Sequence, residues 1–209
     1  MLTEEKAFKF GPYCSYIFRN TPKRIGRLLA YYKFASRMIG KNKKVLDIGC
    51  NEGIGTYLVG KNCGFAKGID FDTEAIVAAQ ENFTTDYTSF SEEDFLQMPP
   101  TETYDAIINF DVIEHIYPEH ASDFFQKMSD QLVDEGLVII GTPSEISQEY
   151  ASAVTKKGHV NIYSHIRLEK EMREFFEIVF IFPVHDEIVH TGYLPLAHYF
   201  IAMGCKKKK

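Results

Sequence analysis

Apolar runs of strand length alternate with amphipathic segments through the middle of the chain. The runs "KVLDIG", "FAKGID", "YDAIINF" and "GLVIIGT" have the composition of buried strands, whereas "TEAIVAAQENF" and "PEHASDFFQKMSDQL" repeat their apolar residues at helical spacing. Buried strands that alternate with helices are typical of a parallel sheet covered on both faces, because each parallel connection needs a crossover. The pattern therefore predicts an α/β fold with a mostly parallel, doubly wound sheet.

Both ends of the chain depart from this alternation. Thr21 and Gly40 are expected to cap and to end an amphipathic helix, so that residues 1–40 form an N-terminal helical cap. Ser164 is expected to cap a later helix, "IRLEKEMREFF". The runs "EIVFIFPV" and "LAHYFIAMG" follow this helix with no room for a crossover between them, which predicts an antiparallel C-terminal pair.

Length and charge narrow the class of protein. A chain of 209 residues that is 45% hydrophobic suits a single domain, residues 1–209. The net charge of −6 argues against nucleic-acid binding, and the lack of a long apolar run argues against membrane insertion. We therefore expect a cytoplasmic protein. The four scattered cysteines are expected to be free thiols, and the terminal "KKKK" is expected to be a solvated tail.

The stretch "VLDIGCNEGIGTYLV", residues 45–59, joins a buried strand to a glycine-rich turn and a helix. Glycines at such a turn let a ligand approach the backbone at the carboxyl end of a parallel strand, which predicts a cofactor crevice. The spacing matches neither the dinucleotide pattern GxGxxG nor the phosphate loop GxxxxGK[ST]. Asp47 would repel a diphosphate and would suit a ligand that carries an ammonium and a sulfonium group. Asp70 ends the second strand, where a carboxylate can accept hydrogen bonds from ribose hydroxyls.

Four segments together resemble a known family. "VLDIGCNEG", "GIDFD", "EEDF" and "YDAIINFDVIEHI" are similar, in order and spacing, to motifs of class I S-adenosylmethionine-dependent methyltransferases, especially the small-molecule group that includes quinone-biosynthesis enzymes. The resemblance covers residues 40–142. It implies a Rossmann-like, doubly wound, seven-stranded sheet with an antiparallel C-terminal strand. It also implies S-adenosyl-L-methionine as cofactor and S-adenosyl-L-homocysteine as product, although Asn51 stands where the commonest pattern has glycine.

The resemblance also implies a set of cofactor-binding residues. Arg24 or Arg27 could pair with the cofactor carboxylate, although surface arginines are more often solvated. By position, the other implied contacts are Asp47, Gly49 and Gly53 with the methionine portion, Cys50 and Asn51 through their backbone, Asp70 with the ribose, Phe71, Asp94 and Phe95 with the adenine, and Asn109 and Asp111 at the methyl-donor end.

Methyl transfer needs a base only if the acceptor must lose a proton, and two histidines are candidates. His115 follows the fourth strand in "DVIEHI", where Glu114 and His115 could instead hold the local turn. His159 lies in residues 143–165, a long polar connection that we expect to be a lid or substrate loop. The loop that contains His185 and His190 does not by itself predict a metal site, and no metal is expected.

The leading hypothesis is therefore a methyltransferase that acts on a small molecule. The polar, histidine-containing lid favours O-methylation of a sugar, a glycan precursor or another polar metabolite. A quinone, phenol or amine acceptor is an alternative, and so is a non-catalytic module that keeps the cofactor fold.

Overall fold

Residues 7–208 are described by the computed structural model, and they form an eight-stranded sheet with helices on both faces. The strand order is β3-β2-β1-β4-β5-β8-β6-β7; β1 to β5 are parallel, whereas β8 is antiparallel to both β5 and β6. The strands are β1 Lys43–Ile48, β2 Gly64–Asp70, β3 Thr88–Glu92, β4 Tyr104–Phe110, β5 Leu132–Pro143, β6 Phe176–His185, β7 Ile188–Val189 and β8 Tyr199–Lys207.

The predicted α/β fold is confirmed, including the antiparallel pair at the C-terminus. The strand count exceeds the expected seven because β7, a two-residue strand, pairs with the end of β6 inside the segment interpreted as a loop. β3 also lies in a stretch where the apolar pattern alone predicts no strand. Its residues alternate between buried and half-buried positions over only five residues, which is too short for a clear periodic signal.

Seven helices and three short 3₁₀ turns connect these strands within residues 7–208. Gly40 ends α2 with a left-handed φ of 83°, and the Ser164 hydroxyl accepts the Arg167 N–H at the start of α7, as predicted. The capping role expected for Thr21 is wrong, because Thr21 ends α1 and donates its N–H to Ile17. The helices are α1 Pro12–Asn20, α2 Lys23–Ile39, α3 Ile54–Cys63, α4 Thr73–Phe83, α5 Pro118–Asp130, α6 Ala153–Gly158 and α7 His165–Phe175; the turns are Ile113–His115, Glu145–Tyr150 and Leu194–Leu196.

The core has one apolar layer on each face of the sheet. Adjacent residues of a strand point to opposite faces, so Leu46 packs with α5 and α7 while Val45 packs with α2 and α3. Ile107 and Ile108 divide in the same way on β4. Because β1, β2 and β4 are parallel neighbours, their carboxyl ends lie together on one side of the sheet.

The C-terminal lysines are not a solvated tail over their whole length. β8 continues to Lys207, whose backbone pairs with Phe176 and whose Nζ donates to the Leu132 carbonyl at 2.6 Å. Lys206 forms an ion pair with Glu177 at 2.7 Å. The expectation is therefore wrong for Lys206 and Lys207, and Lys209 lies outside the described residues.

Asp47 is fully buried near the carboxyl end of β1. Its carboxylate accepts one hydrogen bond from the Thr56 hydroxyl of α3 at 2.5 Å and another from the Tyr32 hydroxyl of α2 at 3.2 Å. Burial raises the pKa of Asp47 to about 7, although both hydrogen bonds act in the opposite direction. Asp47 therefore joins two helices to the first strand.

The raised pKa of Asp47 makes stability depend on pH. Because the folded pKa of about 7 lies well above the ordinary pKa of an aspartate, the stabilising contribution of the protonated carboxyl is complete below about pH 4 and is lost as the pH rises through about 7. We expect the free energy of unfolding of the wild type, relative to Asp47→Asn, to fall between these pH values, by at most about 4 kcal/mol. Denaturant titrations from pH 4 to pH 8 measure this difference.

Asp105→Asn is the matched control. In the wild type, the hydrogen bond that the Asp105 carboxylate accepts from the backbone N–H of Lys44 lowers the pKa of Asp105, and the side chain of Lys43 acts in the same direction. The contribution of Asp105 is therefore complete above about pH 4 and is lost only at lower pH. The difference in free energy of unfolding between the wild type and Asp105→Asn should therefore be constant from pH 4 to pH 8. If the difference between the wild type and Asp47→Asn is constant over this range too, the pKa of Asp47 is not raised.

Gly55 lets α3 pack closely on α2. A Cβ atom at this position would overlap the Tyr32 ring. We expect Gly55→Ala to lower the free energy of unfolding by about 1–3 kcal/mol, the usual cost of overpacking. Gly26→Ala, at an exposed position in the first turn of α2, should instead raise it by about 0.5–1 kcal/mol, because alanine loses less backbone entropy and the Cβ would meet only the end of the Glu187 side chain, at 3.3 Å. Chemical denaturation compares the two variants, and equal stability of Gly55→Ala and wild type would exclude the steric constraint.

Candidate functional site

A cavity of about 510 Å³ opens at the carboxyl ends of β1, β2 and β4. The strands that follow β1 are added on one side of it, as β2 and β3, and then on the other side, as β4 and β5. Ligands of doubly wound folds bind at the switch point between these two halves, here between β1 and β4. The volume is in the range that holds a small organic ligand. The wall consists of the glycine turn, the ends of β2 and β4, the segment after β3, and residues of α1, α2 and α5.

Hydrogen bonds to the end of β2 hold the glycine turn in place. The N–H groups of Gly49 and Cys50 both donate to the Ile69 carbonyl, at 2.8 and 3.0 Å, and the Asn51 N–H donates to the Asp70 carboxylate at 2.9 Å. Asn51 has a left-handed φ of 48°, which asparagine adopts more readily than other residues with a side chain. Its presence in place of the more common glycine is thus compatible with the backbone of the turn.

Glu52 is a site residue that the sequence analysis did not identify. Its side chain lines the cavity although it is only 3% exposed. The carboxylate accepts the backbone N–H of Tyr13 at 2.6 Å and that of Cys14 at 3.2 Å. These N–H groups belong to the first turn of α1, which has no side-chain cap of its own. The glycine turn therefore holds the N-terminal helix beside the cavity, a contact across 39 residues that no local motif signals.

Nine of the predicted site residues line the cavity. Phe71 is 79% exposed, whereas Phe95 is 5% exposed and meets Phe124 edge to face. Asp70 accepts backbone N–H groups with both carboxylate oxygens, from Asn51 and Asp72. The nine residues are Gly49, Cys50, Asn51, Asp70, Phe71, Asp94, Phe95, Asp111 and His115.

Asp47, Gly53, Asn109 and His159 are not part of the cavity wall. Asp47 lies behind the turn with its hydrogen-bond partners, so the expected contact between its carboxylate and the ligand is corrected to a supporting role. Gly53 begins α3 with a φ of 79°, and a Cβ there would lie 2.7 Å from the Phe90 ring. Asn109 is fully buried, with its amide nitrogen 3.4 Å from the Met128 sulfur.

The charged side chains that line the cavity are mainly acidic, although Lys67 pairs with Glu93 at 2.8 Å from outside the wall. The described part of the chain contributes six carboxylates to it and neither lysine nor arginine. Desolvation raises the pKa of Asp111, while Tyr199, Arg24 and His115 lower it. The electrostatic argument made for Asp47 therefore applies instead to the carboxylates in the wall. They are Glu52, Asp70, Asp72, Glu93, Asp94 and Asp111.

A second polar group lies at the rim, where the turn after β4 meets residues 143–165. The His115 Nδ1 lies 2.9 Å from the Gly158 carbonyl, and the rings of His115 and His159 meet edge to face at 5.0 Å. Burial lowers the pKa of His159, and the charges of His115 and Arg24 add to this effect. Glu114 is fully buried, and Thr142 donates to one of its carboxylate oxygens at 3.1 Å. Both candidate histidines thus face one corner, although only His115 lines the cavity.

Other predicted contacts are arranged differently. Arg27 lies 3.9 Å from Asp186, which places it in an ion pair with the C-terminal loop. His185 and His190 contact each other at 2.7 Å, and among residues 7–208 no third potential ligand completes a metal-binding group with them. Within residues 7–208, a group of three potential metal ligands is present at Glu114, His115 and His159, a cluster that the sequence analysis did not predict. The described helices include none that could cross a bilayer.

The chain is similar in sequence to known methyltransferases. Ubiquinone biosynthesis O-methyltransferase of Glaesserella parasuis serovar 5 is 28% identical over 148 residues, which are 63% of this chain and 62% of that protein. The chain spans only 42–44% of the length of several other curated relatives.

Solved structures share the fold. N-methyltransferase NodS of Bradyrhizobium japonicum, solved in complex with S-adenosyl-L-homocysteine, has a TM-score of 0.67 at 18% identity, with 92% of each chain covered. A TehB-like SAM-dependent methyltransferase of Corynebacterium glutamicum has a TM-score of 0.72 at 18% identity, with 92% of this chain and 96% of that chain covered. The family described as "Methyltransferase domain" matches residues 18–178, more than half of the chain. The chain therefore belongs to the methyltransferase domain family.

Proposed function

We propose that the protein transfers a methyl group from S-adenosyl-L-methionine to an oxygen of a small molecule. The observation that carries this proposal is the cavity at the switch point, whose wall holds six carboxylates without lysine or arginine among the described residues. Such a wall repels the diphosphate of a dinucleotide and attracts a ligand with ammonium and sulfonium charges. Family membership supports the same chemistry.

The cavity residues suggest how the donor is oriented. Asp70 accepts backbone N–H groups, yet a carboxylate has about four lone-pair sites and can also accept the ribose hydroxyls. Phe71, Asp94 and Phe95 line the adjoining wall, where they are suited to the faces and the amino edge of adenine. The methionine portion would then lie along the glycine turn, and the methyl group would face Asp111. Asp47, Gly53 and Asn109 support this arrangement from behind the wall.

The acceptor side is proposed to lie at the rim beside His115 and His159. Methyl transfer is a displacement at an activated carbon, so the protein mainly aligns the acceptor and excludes water. A hydroxyl acceptor must also lose its proton, and His115 and His159 are placed to assist that loss. The polar segment 143–165 would act as the lid and acceptor loop, since His159 and Gly158 connect it to the turn after β4.

Two acceptor classes fit this rim. Its histidines and the polar lid favour a sugar, a glycan precursor or another polar metabolite. A quinone or phenol is the second candidate, favoured by the name of the Glaesserella relative and by aromatic residues of α1. Tyr13, Tyr16 and Phe18 are 45%, 65% and 55% exposed there.

Calorimetric titration tests the cofactor. S-adenosyl-L-homocysteine should bind with one site per chain, and NAD should not bind. Asp70→Ala should weaken S-adenosyl-L-homocysteine binding by about 1–3 kcal/mol, the penalty for hydrogen-bonding groups left without a partner. Asp86→Ala, an exposed position outside the cavity, is the control. Binding of NAD in preference to S-adenosyl-L-homocysteine would overturn the proposal, and an unchanged affinity of Asp70→Ala would remove Asp70 from the site.

Turnover tests the acceptor side. With labelled S-adenosyl-L-methionine and a panel of sugars, glycan precursors, phenols and amines, we expect methylation of a hydroxyl acceptor. His159→Ala should lower the rate about 10²–10⁴-fold, the usual contribution of assisted proton transfer, with donor affinity unchanged because His159 does not line the cavity. His190→Ala is the control. A full rate in His159→Ala would leave alignment as the mechanism, and no turnover with any acceptor would favour a binding module.

A further inference from the structure

We propose that Glu114, His115 and His159 bind one divalent transition-metal ion at the rim of the cavity. The inference deepens the proposed function and rests on it, because the ion would stand where the methyl acceptor enters. One potential ligand atom from each of the three residues lies within 4.8 Å of the other two. Two ligands of one ion at about 2.1 Å can be at most about 4.2 Å apart, so small side-chain movements would close the site.

Glu114 supplies the observation that points to a ligand. Its side chain is fully buried, and Thr142 donates to one carboxylate oxygen at 3.1 Å. The other oxygen, Oε1, has no hydrogen-bond partner. A buried carboxylate oxygen without a partner is costly, and a cation beside it would remove this cost. The histidine pair lies next to this carboxylate.

The hydrogen bond of His115 selects the tautomer that a metal needs. A carbonyl oxygen can only accept, so the contact of 2.9 Å between Nδ1 and the Gly158 carbonyl requires the proton on Nδ1. The lone pair is then on Nε2. Metal-binding histidines usually donate their other ring N–H to a carbonyl or carboxylate in this way. The same bond holds His159, the residue after Gly158, beside the turn after β4.

His159 has a comparable partner in Gln148, whose amide lies 3.3 Å from Nδ1. A 180° rotation of the amide lets its oxygen accept a proton from Nδ1 and leaves Nε2 free for an ion. Arg24 acts electrostatically on both His159 and Asp111, and Arg27 also acts on Asp111. Arg27 is offset by its ion pair with Asp186, which leaves Arg24 against the carboxylates of Asp111 and Glu114. The balance of these charges still favours a cation.

Two imidazoles and one carboxylate define the class of ion. Imidazole nitrogens suit zinc, iron, cobalt and nickel better than magnesium or calcium, which prefer oxygen ligands. Three protein ligands leave at least one position open for a hydroxyl of the acceptor. The ion would lower the pKa of that hydroxyl, as it does for bound water.

The methyl-transfer step then balances without a redox partner. With the ion bound, His115 and His159 would act as its ligands and not as free bases, so the acceptor hydroxyl would give its proton to solvent water and its oxygen would attack the methyl carbon. An O–CH₃ bond forms while the C–S bond breaks, and the electron pair of the broken bond neutralises the sulfonium.

Titration of metal-free protein with Zn²⁺ and with Co²⁺ tests the site, by calorimetry and by the visible absorption of bound Co²⁺. We expect one ion per chain in the wild type. His115→Ala, His159→Ala and Glu114→Gln should each weaken binding by at least about 10–100-fold, the loss seen when only an outer partner of a ligand is removed. His190→Ala, which removes half of the other histidine pair, should bind the ion like the wild type.

Two further measurements keep the outcomes distinct. Circular dichroism checks that each variant is folded, and S-adenosyl-L-homocysteine binding is measured in every variant. The metal site would be overturned if neither ion bound saturably, or if His115→Ala and His159→Ala bound the ion as tightly as the wild type. Loss of ion binding in His190→Ala would overturn it as well. If the ion fails to bind while S-adenosyl-L-homocysteine binds, the proposed function stands without the ion. Ion binding without any S-adenosyl-L-homocysteine binding would overturn the proposed function instead.

Discussion

The hydrogen bonds between the glycine turn and the end of β2 are the constraint on which the cavity depends. The Ile69 carbonyl accepts from Gly49 and Cys50, and the Asp70 carboxylate accepts from Asn51. These hydrogen bonds fix the positive φ angles of Gly49 and Asn51 in a turn whose backbone could otherwise adopt many conformations. Because Glu52 follows directly and binds the first turn of α1, the same constraint sets one wall of the cavity.

Three buried or cavity-facing carboxylates show how local partners assign different roles to one chemical group. Asp47 receives two hydroxyl hydrogen bonds and is surrounded by α2 and α3, so it stabilises the fold behind the turn. Asp111 faces the cavity with Arg24 and His115 nearby. Glu114 keeps one oxygen without a partner beside two histidines. Desolvation raises the pKa of all three, and their different partners decide what each can bind.

One part of the site is formed by the sheet, and the other part is formed by residues 143–165, the connection after β5. Strand ends and the glycine turn form the cavity, and their positions follow from the register of β1, β2 and β4. The rim depends instead on residues 143–165, of which none lines the cavity in the described chain. In the proposed function the rigid part orients the donor and the connection selects the acceptor, as expected when loops on a common scaffold diversify function.

The sequence by itself determined the α/β class, the antiparallel end, the switch point and nine of the residues that line the cavity, because periodicity and turn chemistry are local. It did not determine β3 and β7, whose few residues have too weak a pattern, or the β pairing of Lys206 and Lys207. Only the tertiary structure moved Asp47 behind the turn, joined Glu52 to α1, and brought His159 to Glu114 and His115. Those contacts join segments far apart in the chain, and long-range packing, which no local pattern encodes, decides which side chains meet.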